Sequence, residues 1–521
     1  MWPFKLSTYR QWLTNATFQV DLLEQDVLAV LSLVRSTKNT FAPINQIPPE
    51  ALSLIAHYCD TDEGLISLTH VCRSWREMFI SHASLWTKLD CTVVEKTRVY
   101  LKRSKMSPLD IRLRKEGFLE DAFLLTLPHL DRLGSLSTSG SLGNLSGLIE
   151  HLGSPAPLLK TLSLTVADGE NVALQDTIFG GDISSLYTLR LDGVISNLAW
   201  ENMSNLRTFS LHNVPVDNVS VTRLLNFFER APLLRKIRLD NAFPNSSDAP
   251  PGRVVSLPNL KYLKIVAHQP HAILMDHLSI PTGASISQSF HFSDNESPIL
   301  LHLPKDLGNL EHLSNVASIN LNFTLGVYLR LQGPSGGHYM IGEWNGQGPV
   351  PISVDPQVLQ SLSVFPTSAV ERLAITQCQY ITPPSVPVEE SRIYNTFQLM
   401  NRIRTLTLTA CLNLPFAQAL NPKKNEPGTI VCPQLEELFL YIKKKEWFCI
   451  GELLEMAEER ASKGAKLDTI TITSEEAFLP TRKVLELRNH VSYVDYKLDH
   501  VIPKWDAIPN DIYGADDESD D

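Results

Sequence analysis

A six-residue pattern, apolar-x-x-apolar-x-apolar, returns along most of this 521-residue chain and constrains its fold more than any other feature. The segments read LKTLSL, LYTLRL, LRTFSL, LRKIRL, LKYLKI, VASINL, VERLAI, IRTLTL, LEELFL and LDTITI, beginning at Leu159, Leu186, Leu206, Leu234, Leu260, Val316, Val370, Ile403, Leu435 and Leu467. Their spacings are 27, 20, 28, 26, 56, 54, 33, 32 and 32 residues. SQSFHF, Ser287 to Phe292, supplies the missing phase inside the first long gap, and LDRLGSL from Leu130 carries the pattern further back. A strand turns alternate side chains to opposite faces, so the last two apolar positions of each unit go inward and the residues beside them look out. One such unit cannot hide its own apolar face. Stacked units share a continuous core, which is how repeat arrays are stabilised.

The pattern resembles leucine-rich repeats, and the resemblance implies an α/β solenoid, with a parallel sheet on a concave face and mixed helices and loops on the convex one. Cys378 and Cys411 stand where that consensus has Asn or Cys; most other units lack the residue, so no asparagine ladder is expected. Helical returns are predicted where VSVTRLLNFFERAPLL places Val221, Leu224, Leu225 and Phe228 at helical spacing, and again in IGELLEMAEERASKG. Near residues 325–355 two strand-like runs flank Gly-Pro-Ser-Gly-Gly, which predicts a hairpin insertion. No helix start or Gly-x-x-x-x-Gly-Lys-Ser/Thr pattern accompanies those glycines, so a phosphate-cradling loop is set aside.

Alternation predicts an outward row of Thr161, Ser163, Thr188, Arg190, Thr208, Ser210, His212, Lys236, Arg238, Asp240, Tyr262, Lys264 and His291, continued by Arg372, Thr405, Thr407, Glu437, Phe439 and Tyr441. Arg190, Lys236, Arg238 and Lys264 come from neighbouring units, on strands about 5 Å apart. They are the candidate site for an acidic or phosphorylated segment of a protein target. A solvated polar face is the alternative. Phe439 and Tyr441 are read as packing toward the C-terminal cap of the array, with a partner anchor as the other reading.

The stretch INQIPPEALSLIAHYCDTDEGLISLTHVCRSWREMFISHASLWTKLD, residues 44–90, has a different texture. Pro48 and Pro49 suit a first helical turn. Leu52, Ile55, Ala56 and Cys59 then share one helical face, Asp60 to Gly64 interrupts it, and Leu65, Leu68, Val71, Cys72 and Trp75 form a second stripe, with Met78 and Phe79 leading to Leu85 and Trp86. So short a segment cannot enclose its own core, and part of its apolar surface must pack on something else. His57-Tyr-Cys59 and His70-Val-Cys72 pair zinc-type ligands, but residues two apart on a helix point in nearly opposite directions, so no metal or other cofactor is expected.

These residues resemble the F-box, in the manner of the large fungal F-box families. Ile47, Pro48, Glu50, Leu52 and Ile55 match its leading motif, Val71, Cys72, Arg73 and Trp75 its second, and Leu85 and Trp86 its third. The resemblance implies docking, through these residues and Leu68, onto the Skp-type adaptor of a cullin-RING ubiquitin ligase. Ala56 and Cys59 replace larger family residues, so a reduced contact area and weaker adaptor binding are expected. Ahead of the segment, Leu23, Val27, Val30, Leu31 and Val34 mark an amphipathic helix. Packing within the chain is the reading taken for it; covering the F-box or pairing with a second chain are the alternatives.

A formal net charge of -11 and the absence of a basic tail argue against nucleic-acid binding. No secretory apolar run or membrane-length apolar window is found, and seven cysteines at irregular spacing fit reduced thiols, so a cytoplasmic or nuclear location is expected. Five acidic side chains and the C-terminal carboxylate within the last eight residues, GADDESDD, read as a solvated tail. The expected organisation is an N-terminal helix segment over 1–42, an F-box over 43–90, repeats over 91–500 and an acidic tail over 501–521. The expected role is a substrate-recognition subunit of the ligase, binding adaptor and cullin at one end and a target protein at the other, with no bond chemistry of its own. A scaffold that assembles no active ligase is one alternative. An enzyme is another, although no nucleophile elbow, His-Glu-x-x-His or paired acidic motif supports it.

Overall fold

A computed structural model describes residues 3–498 apart from the segments 59–61, 115–118, 140–144, 167–170, 176, 197–201, 216–218, 293–298, 324–325, 335, 345–361, 366, 378–389, 410–412, 426–428 and 443–447. Cys59, Cys378, Cys411, the far end of the expected insertion and the acidic tail therefore lie outside the described residues. The chain divides into two compact units, Met1–Leu142 with Glu150–Leu159, and Gly143–Ile149 with Lys160–Asp521.

The first unit opens with a long helix, α1 (Pro3–Thr40), followed by α2 (Pro49–His57), α3 (Asp62–Leu68) and α4 (Arg73–Ser81). In α2 the Pro49 ring sits in the first turn, where a missing N–H costs no helical bond, and Leu52 and Ala56, one turn apart, face inward. The single stripe expected from Leu65 to Trp75 is broken in two. Thr69 Oγ1 donates to the Ile66 carbonyl at 2.7 Å, and Arg76 Nε donates to the Thr69 carbonyl at 2.9 Å, so acceptors left over at the end of α3 are satisfied without another helical turn. Cys72 is then fully extended, at φ -157 and ψ 172, and α4 restarts at Arg73.

Trp86 closes this cluster from below. It is wholly buried, donates its indole N–H to the Phe79 carbonyl at 2.8 Å, and meets Tyr100 edge-on at 5.0 Å. Tyr100 belongs to α5 (Val94–Arg103), and the Arg103 guanidinium lies over the Trp86 ring at 4.3 Å. Immediately after Trp86, β1 (Lys88–Leu89) pairs in parallel with β2 (Leu109–Arg114), and β2 with β3 (Leu133–Ser139). These strands thus join the helices in the first unit, and the division by contacts falls well beyond residue 90.

In the second unit the repeat phase becomes strand pairing. Strands β4 (Thr161–Thr165), β5 (Thr188–Asp192), β6 (Thr208–His212), β7 (Lys236–Asp240), β8 (Tyr262–Val266) and β9 (Ser285–Phe292) pair in parallel, each with the next. Leu162 and Leu164, Leu189 and Leu191, Ile237 and Leu239, and Leu263 and Ile265 are buried at the expected positions, with half-exposed residues between them. Each entry to a strand repeats one bond pattern. The Lys160 carbonyl accepts from Tyr187 N and Thr188 N, Tyr187 from Arg207 and Thr208, and Arg207 from Arg235 and Lys236.

A short ladder contradicts the expectation that none exists. Gly193, Asn213 and Asn241 all take positive φ just past their strands, a conformation that glycine and asparagine tolerate best. Asn213 Nδ2 donates to Asp192 Oδ1 at 2.8 Å, and Asn241 Nδ2 to Asn213 Oδ1 at 3.3 Å. The ladder sits two residues past the last strand leucine, whereas Cys378 and Cys411 follow Ile375 and Leu408 by three, which is why the consensus position missed it.

The next strands in sequence are β10 (Ser318–Phe323), β11 (Gly326–Gln332) and β12 (Gly337–Trp344). The last two form the expected hairpin, but it is wedged into the sheet. β12 runs parallel to β9, β11 runs antiparallel to both β12 and β10, and β10 resumes the parallel series with β13 (Arg372–Gln377). Gly336 permits the fit, since a Cβ there would stand 2.3 Å from the Ala284 carbonyl oxygen. Parallel pairing continues through β14 (Thr405–Thr409), β15 (Glu437–Ile442), β16 (Thr469–Ser474) and β17 (Tyr493–Leu498).

Return segments are mixed, as expected. Among them are α6 (Val221–Arg230), capped by Ser220 and burying Val221, Leu224, Leu225, Phe227 and Phe228, and the sequence α7 (Glu390–Gln398), α8 (Asn413–Leu420), α9 (Ile450–Ser462) and α10 (Thr481–Arg488), in which each helix touches the next. The fold is α/β, a helical N-terminal region followed by a large, mostly parallel sheet. No described helix is long and apolar enough to cross a membrane.

Candidate functional site

The helical cluster has an inner and an outer face, and its apolar residues divide between them. Leu52, Ala56, Leu65, Phe79, Leu85 and Trp86 are buried within the first unit. Outside, Leu54 is 61% exposed, Ile55 51%, Tyr58 86%, Ile66 39% and Val71 58%. The outer set comes from α2, from α3 and from the turn before α4. Burying one such side chain fully is favourable by about 1.5 to 3 kcal/mol, and here most of that gain is unrealised. Exposed apolar side chains gathered on one short helical segment in this way mark an interaction site.

Of the residues expected to dock a partner, Ile55 and Val71 are exposed and Pro48 and Glu50 lie beside them at the surface, whereas Ile47, Leu68, Cys72 and Trp75 are half-buried. Leu52, Leu85 and Trp86 are corrected to core positions, because their side chains are enclosed by their own unit and hold the outer residues from beneath. Leu54 and Tyr58 were missed. Helical spacing was read for one stripe only, and these two lie on the opposite stripe of α2 from Leu52 and Ala56. The expected loss of contact area at Ala56 is likewise corrected: at 3% exposure this residue faces the core, so its small size removes nothing from the outer surface.

Asn45 is a further residue that sequence reasoning passed over. It accepts the Trp75 indole N–H through Oδ1 and donates through Nδ2 to the Asn39 carbonyl at the end of α1. One amide thus ties α4 to the approach of the chain. Trp75 in turn meets Phe79 edge-on at 5.5 Å.

On the strand face of the second unit, register puts Arg190, Ser210, Arg238 and Lys264 in one line across β5, β6, β7 and β8, while Lys236 lies in the next line beside Thr208 and Tyr262. The row is therefore assembled as expected, but it is less basic. Asp192, His212 and Asp240 form the adjoining line, Arg238 Nη2 donates to Asp240 Oδ2 at 3.2 Å, and His212 Nε2 lies 3.5 Å from the same oxygen. Burial, and then the Arg238 charge directly opposite, hold Lys264 below the usual lysine range. At the other end, Tyr441 is buried and donates its hydroxyl to Glu475 at 2.9 Å, in keeping with packing toward the end of the array.

Among the described residues no group of three or more His, Cys, Asp or Glu side chains could hold a metal ion. Comparison with known families finds a match at residues 44–92 to the family model described as F-box-like. The segment is an F-box-like domain, and F-box domains bind Skp-type adaptors of ubiquitin ligases. A comparison with curated proteins gives no match.

Proposed function

We propose that this chain is a substrate-recognition subunit of a cullin-RING ubiquitin ligase. The observation that carries the reading is the exposed apolar set Leu54, Ile55, Tyr58, Ile66 and Val71 on an F-box-like domain. An Skp-type adaptor covers that set, and a cullin is reached through the adaptor. The strand units of the second unit are irregular leucine-rich repeats, and their outward row receives the target. Bond chemistry belongs to other subunits, in the cytoplasm or nucleus.

The row that holds Arg190, Arg238 and Lys264, with Lys236 beside it, suits an acidic or phosphorylated segment, because guanidinium groups pair carboxylate or phosphate with two bonds. The neighbouring Asp192 and Asp240 favour a target that also offers a donor. Two measurements test the halves separately. A purified Skp-type adaptor is expected to capture the wild-type chain and to lose the Ile55→Asp, Val71→Asp variant by roughly a hundredfold in affinity, since each aspartate would be desolvated without a partner. Equal capture of both chains rejects adaptor docking at this surface. The Arg238→Glu, Lys264→Glu variant is expected to keep the adaptor and lose target proteins that co-purify from the native cell; retention of both sets removes the row from the reading.

A further inference from the structure

Helix α1 exposes apolar side chains on several faces, Trp12, Phe18 and Leu33 among them, and one regular set of them forms a seam. Tyr9, Leu13, Ala16, Val20, Leu23, Val27, Val30 and Val34 follow one another at alternating steps of four and three residues, which is the 3.5-residue period of a coiled coil and not the 3.6 of a helix lying on a globular core. Seven of the eight are exposed, from 43% upward: Tyr9 60%, Leu13 43%, Val20 61%, Leu23 62%, Val27 64%, Val30 61% and Val34 58%. The charged residues Arg10, Asp21, Glu24, Asp26, Arg35 and Lys38 all stand off the seam.

Such a helix has reason to need a partner. It contains four seam valines as well as Thr8, Thr14, Thr17, Thr37 and Asn15, residues of modest helix propensity, and isolated helices hold together only marginally even with good formers. Its own unit supplies none along the seam. The seam from Tyr9 to Val34 is roughly 38 Å long at 1.5 Å per residue. The longest other helix among the described residues is α9, with 13 residues. A second copy of this chain, in contrast, brings an equal length with the same period.

We infer that α1 pairs with α1 of a second copy of this chain, making a two-stranded coiled coil through the Tyr9 to Val34 seam. Valine at three of the four positions of one seam row, Val20, Val27 and Val34, with Leu23 in the other, is the side-chain choice that favours two strands. At roughly 80 Å² for each seam residue covered, the two helices together remove about 1,200 Å² from water, the lower bound of specific complexes. This pairing does not depend on the adaptor reading. It would place two F-box-like domains on one particle.

Sedimentation velocity of the full chain at micromolar concentration tests the inference. The wild type is expected to sediment as a dimer. A Val20→Asp, Val27→Asp variant is expected to be monomeric, with a dissociation constant raised by roughly a hundredfold or more. Leu28→Asp, equally exposed but off the seam, is expected to leave the dimer intact. The thermal melt of the remaining fold, followed in all three chains, should not move, because Val20, Val27 and Leu28 are exposed within their own unit. A monomeric or trimeric wild type, or a dimer broken as readily by Leu28→Asp as by the double change, overturns it.

Discussion

Trp86 and Ile55 belong to one helical cluster and answer to different demands. Trp86 is enclosed, with its N–H spent on the Phe79 carbonyl and its ring between Tyr100 and Arg103, so its removal leaves a cavity and an unpaired acceptor. Trp86→Ala is expected to destabilise the first unit by about 3 to 5 kcal/mol in chemical denaturation. Ile55→Asp replaces a side chain that is half in water already, and should change stability by less than about 0.5 kcal/mol while removing adaptor capture. The reverse ranking, with Ile55 critical to stability and Trp86 dispensable, would show that the inner and outer faces have been exchanged. Ala56 shows what a motif alone conceals. Its place in the motif was legible, but which way it faces depends on how α2 packs on the residues around Phe79 and Trp86, which come from later in the chain.

At the scale of elements, the hairpin β11–β12 and its neighbour β9 hold the most unusual polar cluster of the second unit. His312 Nε2 lies 3.1 Å from His338 Nδ1, His338 Nε2 donates to Gln288 Oε1, and Gln288 Nε2 donates to the His302 carbonyl at 2.8 Å and lies 3.1 Å from His271 Nδ1. His338 and His271 are held as neutral rings, because a second proton on His338 Nδ1 or His271 Nδ1 would face another N–H. Burial pushes all four histidines down, His302 to about 3 and His312 to about 4, with His271 and His338 lowered further by their histidine neighbours. In the unfolded chain they titrate near the ordinary value of about 6.5. Between that value and about 4 the unfolded state therefore binds more protons, so stability is full above about 6.5 and falls as pH drops toward the folded values. The denaturation midpoint of the second unit should decline from pH 7 to pH 4.5, and His338→Gln should flatten the decline. A midpoint independent of pH over that range would contradict the buried neutral chain.

The same hairpin tests the packing of the sheet. Gly336→Ala brings a methyl against the backbone carbonyls of Thr282 and Ala284, neither of which can swing aside, so a loss of about 1 to 3 kcal/mol is expected by denaturation. An unchanged midpoint would show that the hairpin does not insert there. Its existence was legible from two alternating runs around Gly-Pro-Ser-Gly-Gly; its place between β9 and β10 was not, because pairing partners distant in sequence leave no mark on local periodicity. The strand phases, by contrast, were read from Leu162 and Leu164 onward, since a period of two decides the buried face residue by residue. β2 and β17 escaped that reading, the first through its position just after the helices and the second because Tyr496 stands where a leucine was sought.

At the scale of the whole molecule, two surfaces stand on two units: an apolar set on the helical cluster and a polar row on the strand face. The basic character of that row was legible, but its partial neutralisation was not. Asp240 could be placed outward by alternation, yet its bonds to Arg238 and its closeness to His212 depend on side-chain direction. Charge reversal at Arg238 and Lys264 therefore acts on a mixed surface, and its effect on target capture should shrink as ionic strength rises. Amide hydrogen exchange on the full chain, with and without a purified Skp-type adaptor, tests the central claim most directly. The account predicts slowed exchange across α2, α3 and the turn to α4, with β4 to β9 unchanged. Protection confined to the strand face, or none anywhere at saturating adaptor, would contradict it.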